Sequence, residues 1–185
     1  FVEAACERGE RALYMAFEES PSQIVRNMRS VGIDLAPHIE KGLLEIHAFR
    51  PSLRGLEEHL ITITEKVKAF QPACMVMDPI SGLIDIGTQP EVKSMLTRIL
   101  DSLKSQGITL FLTALTAGSG RPDETDAHVS SLMDTWIALD YAHQEHTRRR
   151  ELYIVKSRGM EHSPEKRELV VTSEGLSVRD LGPEG

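Results

Sequence analysis

Two glutamates stand side by side at positions 18 and 19, directly after the apolar run Ala12-Leu13-Tyr14-Met15-Ala16-Phe17 and directly before a helix start, Ser20-Pro21-Ser22-Gln23. An apolar run bounded in this way reads as a buried strand. Glu18 and Glu19 then sit at its carboxyl edge, where open α/β sheets bind ligands. A second run, Cys74-Met75-Val76-Met77, ends in Asp78. Two strand ends would carry three carboxylates toward one crevice. That layout suits nucleotide hydrolysis, with one acid holding a divalent metal and another activating the attacking water. Plainer readings stand beside it: Glu18-Glu19 also suit the positive end of the following helix dipole, and Asp78 before Pro79 is a common turn former.

The elements that must position these residues follow from periodicity. A helix over Phe1 to Arg8 is closed by Gly9, and Arg11 to Phe17 is a strand. Ser20 caps a helix with Pro21 at its first position and Gln23 completing a capping box; it runs to about Val31, before Gly32. Leu43 to Phe49 is a strand. Leu56, Leu60, Ile63, Val67 and Phe70 recur at helical spacing up to Pro72, Cys74 to Asp78 is a strand, Pro90 to Gln106 a helix ended by Gly107, and Ile108 to Leu115 a strand. Such a βαβ succession implies a mostly parallel sheet. Thr116 to Asp126, with Gly118, Gly120 and Pro122, reads as a long functional loop. The strands Thr135 to Tyr141, Glu151 to Val155 and Glu168 to Val171 then come without helices between them, which predicts an antiparallel extension at one edge of the sheet. Residues 181–185 are expected to fray.

A chain of 185 residues can bury a real core as one domain, and 41% hydrophobic with 26% charged residues excludes disorder. No apolar run approaches the roughly 20 residues of a membrane span. The net charge of -7 disfavours non-specific nucleic acid binding. Cys6 and Cys74 are too few for a disulfide framework or a zinc site and lie in apolar surroundings, so buried thiols in a reducing cytoplasm are expected. His38, His47, His59, His143 and His146 show no metal-ligand spacing, and Arg148-Arg149-Arg150 tops a solvated hairpin or meets an acidic partner.

Four segments in order carry a resemblance: Phe17-Glu18-Glu19-Ser20; Val76-Met77-Asp78 with Ser81-Gly82-Leu83; Asp126-Ala127-His128-Val129-Ser130-Ser131 leading to Asp134-Thr135; and Lys156-Ser157-Arg158-Gly159 with His162. Over about residues 1–180 the chain resembles the KaiC circadian-clock ATPase family, a branch of the RecA-like hexameric ATPases. The resemblance implies one α/β RecA-like three-layer domain, with a mostly parallel central sheet and an antiparallel C-terminal extension. The clock protein itself carries two such domains in tandem. No Gly-x-x-x-x-Gly-Lys-Ser/Thr occurs in this sequence; in the family that phosphate loop lies just upstream of the helix ending here at Gly9. The chain is therefore expected to start inside the first helix of a domain, and as given to bind nucleotide poorly.

The resemblance also implies roles. Glu18 and Glu19 supply the general base, and a neighbouring like charge raises the pKa of one of them. Asp78 holds magnesium through water. Lys156, Arg158 and His162 reach the nucleotide of the adjacent subunit. Alternate spacing on a strand points Lys156 and Arg158 to one side, although a charged, solvated edge strand would look the same. Thr113, ending a strand, could sense the terminal phosphate, or need no function there. Ser130 and Ser131 align with the hydroxyl pair that the clock protein phosphorylates on itself, and Thr125 with a nearby threonine; the second hydroxyl here is serine, not threonine. The expected whole is a cytoplasmic Mg-ATP hydrolase of slow turnover, assembling with itself as a hexameric ring, with clock or signalling proteins as further partners. A non-catalytic oligomeric scaffold and a recombinase-like DNA-dependent ATPase are the alternatives; the acidic charge and the lack of an aromatic and basic strand-binding loop count against the second.

Overall fold

The computed structural model describes residues 1–50, 55–84, 86–115, 129–144 and 147–181. The elements run α1 (Val2–Glu7), β1 (Ala12–Ala16), α2 (Pro21–Ser30), α3 (Ala36–Glu40), β2 (Leu44–Ala48), α4 (Leu56–Phe70), β3 (Cys74–Asp78), α5 (Ser81–Ile84), α6 (Gln89–Ser105) and β4 (Thr109–Leu112). A short 3-10 helix, Ser130–Leu132, leads into β5 (Thr135–Gln144), β6 (Thr147–Ser157), β7 (Arg167–Thr172) and β8 (Gly175–Asp180). The loop expected over Thr116 to Asp126, with Thr125, and all but Leu181 of the tail expected to fray lie outside the described residues.

The first four strands form one parallel sheet in the order β2-β1-β3-β4. Both of its faces are covered, so the strands read as near-continuous apolar runs. Leu13, Met15, Phe17, Met75 and Met77 point into a core shared with α4 and α6. Ala12, Ala16, Cys74 and Val76 point the other way, toward α1, α2 and α3. This is the three-layer α/β domain that the sequence implied. The capping box of Ser20 and Gln23 is present at the head of α2.

α1 has a definite direction. Its Cys6 thiol donates to the Leu43 carbonyl at 3.6 Å, just before β2 begins, while the Phe1 ring lies 4.5 Å from that of Phe111, two residues before Thr113. The amino end of α1 therefore lies toward the carboxyl edge of the sheet.

Four elements went unforeseen, one of them the three-residue 3-10 helix Ser130–Leu132. α3 and α5 are too short to show a period, and β8 is a mostly exposed strand with a weak apolar pattern. β4 ends at Leu112 instead of Leu115. Its neighbour β3 stops before Pro79, which has no N–H for a ladder, and the Leu115 amide donates to the Ser81 hydroxyl at 2.9 Å.

The antiparallel strands also correct an expectation. They do not extend the edge of the parallel sheet but form a sheet of their own, in the order β5-β6-β7-β8. The four residues of β4 offer little edge, whereas β5 finds a partner along its whole length on β6. Contacts among the described residues anchor this second sheet to the first body. Val129, Leu132 and Met133 pack on the core beside α6, and Lys104 of α6 bridges Asp134 at 2.7 Å. Within the sheet, buried Glu151 is held between Arg149 and Lys166, each at 2.9 Å.

A further contact is steric. Gly32, just past α2, has φ +79°, and a Cβ there would stand 2.7 Å from the Glu174 backbone in the β7–β8 turn. Gly9 has almost the same φ, +78°, but open space around it. The left-handed region costs an L-residue roughly 1–2 kcal/mol. Gly9→Ala should therefore lose about that much stability in urea unfolding. Gly32→Ala should lose clearly more, because the β7–β8 turn must also shift; equal losses would mean that the turn does not rest on Gly32.

Candidate functional site

The register of the parallel sheet builds the site. Ala16 of β1 lies opposite Asp78 of β3, and the Phe17 amide donates to the Asp78 carbonyl at 2.8 Å. The carboxyl ends of adjacent strands thus deliver Glu18-Glu19 and Asp78 to one edge. Thr113 joins them from the end of β4, its amide donating to the Met77 carbonyl at 3.1 Å.

Asp78 is half-buried and held from two sides. The Tyr14 hydroxyl donates to its Oδ2 and the Thr113 hydroxyl to its Oδ1. Tyr14 and Asp78 share a face because residues two apart on a strand point the same way and paired residues of a parallel ladder do too. The Thr113 hydroxyl, expected to sense a phosphate, is engaged with the carboxylate. Glu18 and Glu19 are both exposed. Glu19 accepts a hydrogen bond from the Asn27 amide of α2 at 2.8 Å, while Glu18 makes no hydrogen bond among the described residues.

A second cluster gathers on the other sheet. Lys156 is on β6, opposite Trp136, next to a register shift at Trp136/Ile137. Arg158 departs from the expected strand alternation, because β6 ends at Ser157 and Arg158 belongs to the turn with Gly159. Its position is set by hydrogen bonds: the amide donates to the Asp134 carbonyl at 2.8 Å and the guanidinium to the Ser131 carbonyl at 2.7 Å. Ser131 is exposed, Ser130 opens the 3-10 helix, and His162 is exposed in the segment between β6 and β7. The fold thus brings the acids Glu18, Glu19 and Asp78 together with Thr113, and separately brings Arg158 to the Ser130-Ser131 segment.

Sequence reasoning missed Tyr14 and Asn27. Tyr14 had a readable signal: on β1 it shares a face with Ala12 and Ala16, two small residues, and Ala16 is at the level where the Asp-terminated strand ends. Burial pushes the Tyr14 phenol well above its ordinary range, and the hydrogen bond to Asp78, the Asp78 charge and the Glu19 charge act in the same direction. The phenol stays neutral and remains a donor.

The Asp78 carboxylate is a hard oxygen ligand of the kind magnesium prefers. Among the described residues no group of three or more His, Cys, Asp or Glu forms a metal cage. A single carboxylate fits an ion that takes its other ligands from water and substrate phosphates. No described helix is long and apolar enough to cross a membrane.

Comparison with known proteins places these residues in a family context. The family model described as "ATPase: KaiC" matches residues 1–182. The chain is 46% identical over 180 residues to the circadian clock protein KaiC2 of Synechocystis sp., covering 96% of this chain and 32% of that protein. It is 35% identical over 181 residues to the circadian clock oscillator protein KaiC of Parathermosynechococcus lividus, covering 97% and 34%, and 34% identical to that of Thermostichus vulcanus, covering 97% and 35%. The chain spans about a third of the length of these curated relatives.

The Tyr14 environment predicts a titration. A raised phenol pKa means that folding favours the protonated form. Its contribution to stability is complete below the ordinary value of about 10 and is lost as pH rises above it. In an alkaline titration followed at the phenolate absorbance, one of the three tyrosines should ionise only as the protein unfolds, and Tyr14→Phe should remove that delayed step. A delayed step that survives the substitution would assign it to another tyrosine.

Proposed function

The chain belongs to the KaiC ATPase family, and from that membership we propose that it is the nucleotide-handling domain of a slow Mg-ATP hydrolase whose sites form between the subunits of a homo-oligomeric, hexameric ring. The observation that carries this reading is the pairing of Ala16 with Asp78, which lines up two exposed glutamates and a braced aspartate on adjacent strand ends. The Glu18-Glu19 pair accepts the proton of the attacking water. Glu18 is the freer of the two, since Asn27 holds Glu19. Asp78 holds magnesium through water; the ion, when bound, supplies charge neutralisation at the phosphate oxygens. Thr113 contributes to the nucleotide site by bracing Asp78, and would have to release it to donate to a phosphate.

The phosphate loop is proposed to come from sequence preceding Phe1. The orientation of α1 supports this, because its amino end is beside Phe111 at the carboxyl edge, on the side of the sheet that carries Asp78. The 185-residue chain by itself then binds ATP weakly. Lys156, Arg158 and His162 act on the neighbouring subunit's nucleotide, and Ser130 or Ser131 receives phosphate as a side reaction. The contact of Arg158 with the Ser131 carbonyl supports a shared location for these groups. So does an exposed apolar face on the second sheet, with Ile137, Leu139 and Tyr141 on β5 and Leu176 and Val178 on β8, a surface suited to burial between subunits. The names of the relatives suggest clock proteins as partners; a cytoplasmic setting belongs to the same reading, and the net charge of -7 disfavours nucleic acid as a partner.

The reading is tested in the full-length protein. Glu18→Gln with Glu19→Gln should abolish hydrolysis while ATP binding persists. Arg158→Ala should cost on the order of 10³ in rate, as expected for a cation that stabilises a transferring phosphate. Mixed rings of the two variants should regain turnover wherever an intact glutamate pair meets an intact arginine. Mixed rings that form but stay as inactive as their parents would place both sets of residues in one subunit's site or in none, and would favour a scaffold.

A further inference from the structure

Nucleotide chemistry at the strand ends leaves one side chain of the Asp78 cluster unassigned. We propose that Tyr14 is a positioning residue: its hydroxyl holds the Asp78 carboxylate in one orientation, so that the acid presents its remaining lone pairs to the water ligands of the metal ion. The inference rests on Asp78 being the metal-holding acid.

The sheet is built for this contact. Tyr14 lies two residues before the Ala16–Asp78 pair, so its hydroxyl must reach roughly 6.6 Å along the strand to the carboxylate, about the length of the side chain. Along β1 its neighbours on that face are the small residues Ala12 and Ala16, both buried, and Ile46 lies opposite it on β2. Val76 lies opposite it on β3. A carboxylate offers about four acceptor sites. Tyr14 takes one on Oδ2 and Thr113 one on Oδ1, which fixes the rotation of the group and leaves one site on each oxygen.

The chemical nature of the donors matters as much as their geometry. Tyr14 and Thr113 donate to Asp78, and Asn27 donates separately to Glu19, so each acid is held by neutral donors. A lysine or arginine in the place of Tyr14 would fix Asp78 equally well but would neutralise the charge that a cation needs. A phenylalanine would keep the packing and leave Asp78 free to turn. Bracing groups of this kind are typically worth 10–100-fold in metal affinity or activity.

Tyr14→Phe in the full-length protein removes the donor and keeps the ring. Manganese serves as a paramagnetic stand-in for magnesium, titrated in the presence of a non-hydrolysable ATP analogue. The expected result is a manganese affinity weakened about tenfold, with unchanged circular dichroism and unchanged affinity for the analogue without metal. In an Asp78→Asn background the same substitution should have no further effect on manganese, because Tyr14 acts through the carboxylate. Wild-type manganese affinity in Tyr14→Phe, or an equal loss in the Asp78→Asn background, would overturn the proposal. Loss of the folded circular dichroism spectrum would also overturn it, showing that the hydroxyl holds the sheet and not the acid. If Asp78→Asn alone leaves manganese binding intact, the assignment of Asp78 fails, an outcome distinct from the failure of Tyr14.

Discussion

Ala16 lies opposite Asp78 where β1 and β3 run in parallel, and most of what this domain can do depends on that register. A parallel ladder brings the carboxyl ends of its strands to the same edge, so any polar residue just past an apolar run lands beside its counterpart on the next strand. A slip of one residue would turn Asp78 to the α4–α6 side and into a core of Leu, Ile, Val and Met. The cost of burying an unpaired carboxylate there makes the observed register the stable one. Packing on both faces and chemistry at the edge are consequences of one pairing.

The electrostatics of that edge follow a consistent pattern. The acids are held by neutral groups, Tyr14 and Thr113 on Asp78 and Asn27 on Glu19, whereas Lys156 is on the second sheet and Arg158 directly follows its β6 strand. Opposite unit charges 4 Å apart attract by about 4 kcal/mol at the effective dielectric of a protein surface. An Arg158 within reach of Glu18 in the same chain would form an ion pair that takes both groups out of service. Instead the guanidinium is held by the Ser131 backbone carbonyl. The buried charge of Glu151, paired with Arg149 and Lys166, lies within the second sheet and serves the fold.

The second sheet differs from the first in how it is stabilised. The parallel sheet is a closed apolar sandwich with helices on both faces. The antiparallel sheet is anchored at a few places: the apolar residues around Leu132, the Lys104–Asp134 bridge and the turn against Gly32. One of its faces carries exposed Ile137, Leu139 and Tyr141, a larger apolar surface than a solvated hairpin needs.

By itself the sequence determined the layer architecture, the strand ends and the residue types placed there. Apolar runs of five or six residues, helical periods such as Leu56-Leu60-Ile63-Val67-Phe70 and the Ser20-Pro21-Gln23 cap are local signals, legible because each element must bury one stripe or face wherever it ends up. The family was legible for the same reason, since its motifs are short and contiguous. What only the tertiary structure decided is who touches whom. Tyr14 and Asp78 are 64 residues apart, and Thr113 is a further 35 beyond Asp78; their contact exists only once three strands choose their order and register. The same holds for Asn27 on Glu19, for Arg158 on Ser131 and for the independence of the second sheet. β4 and β5 both look like strands locally, and whether they pair depends on edges, partners and lengths that no single segment encodes.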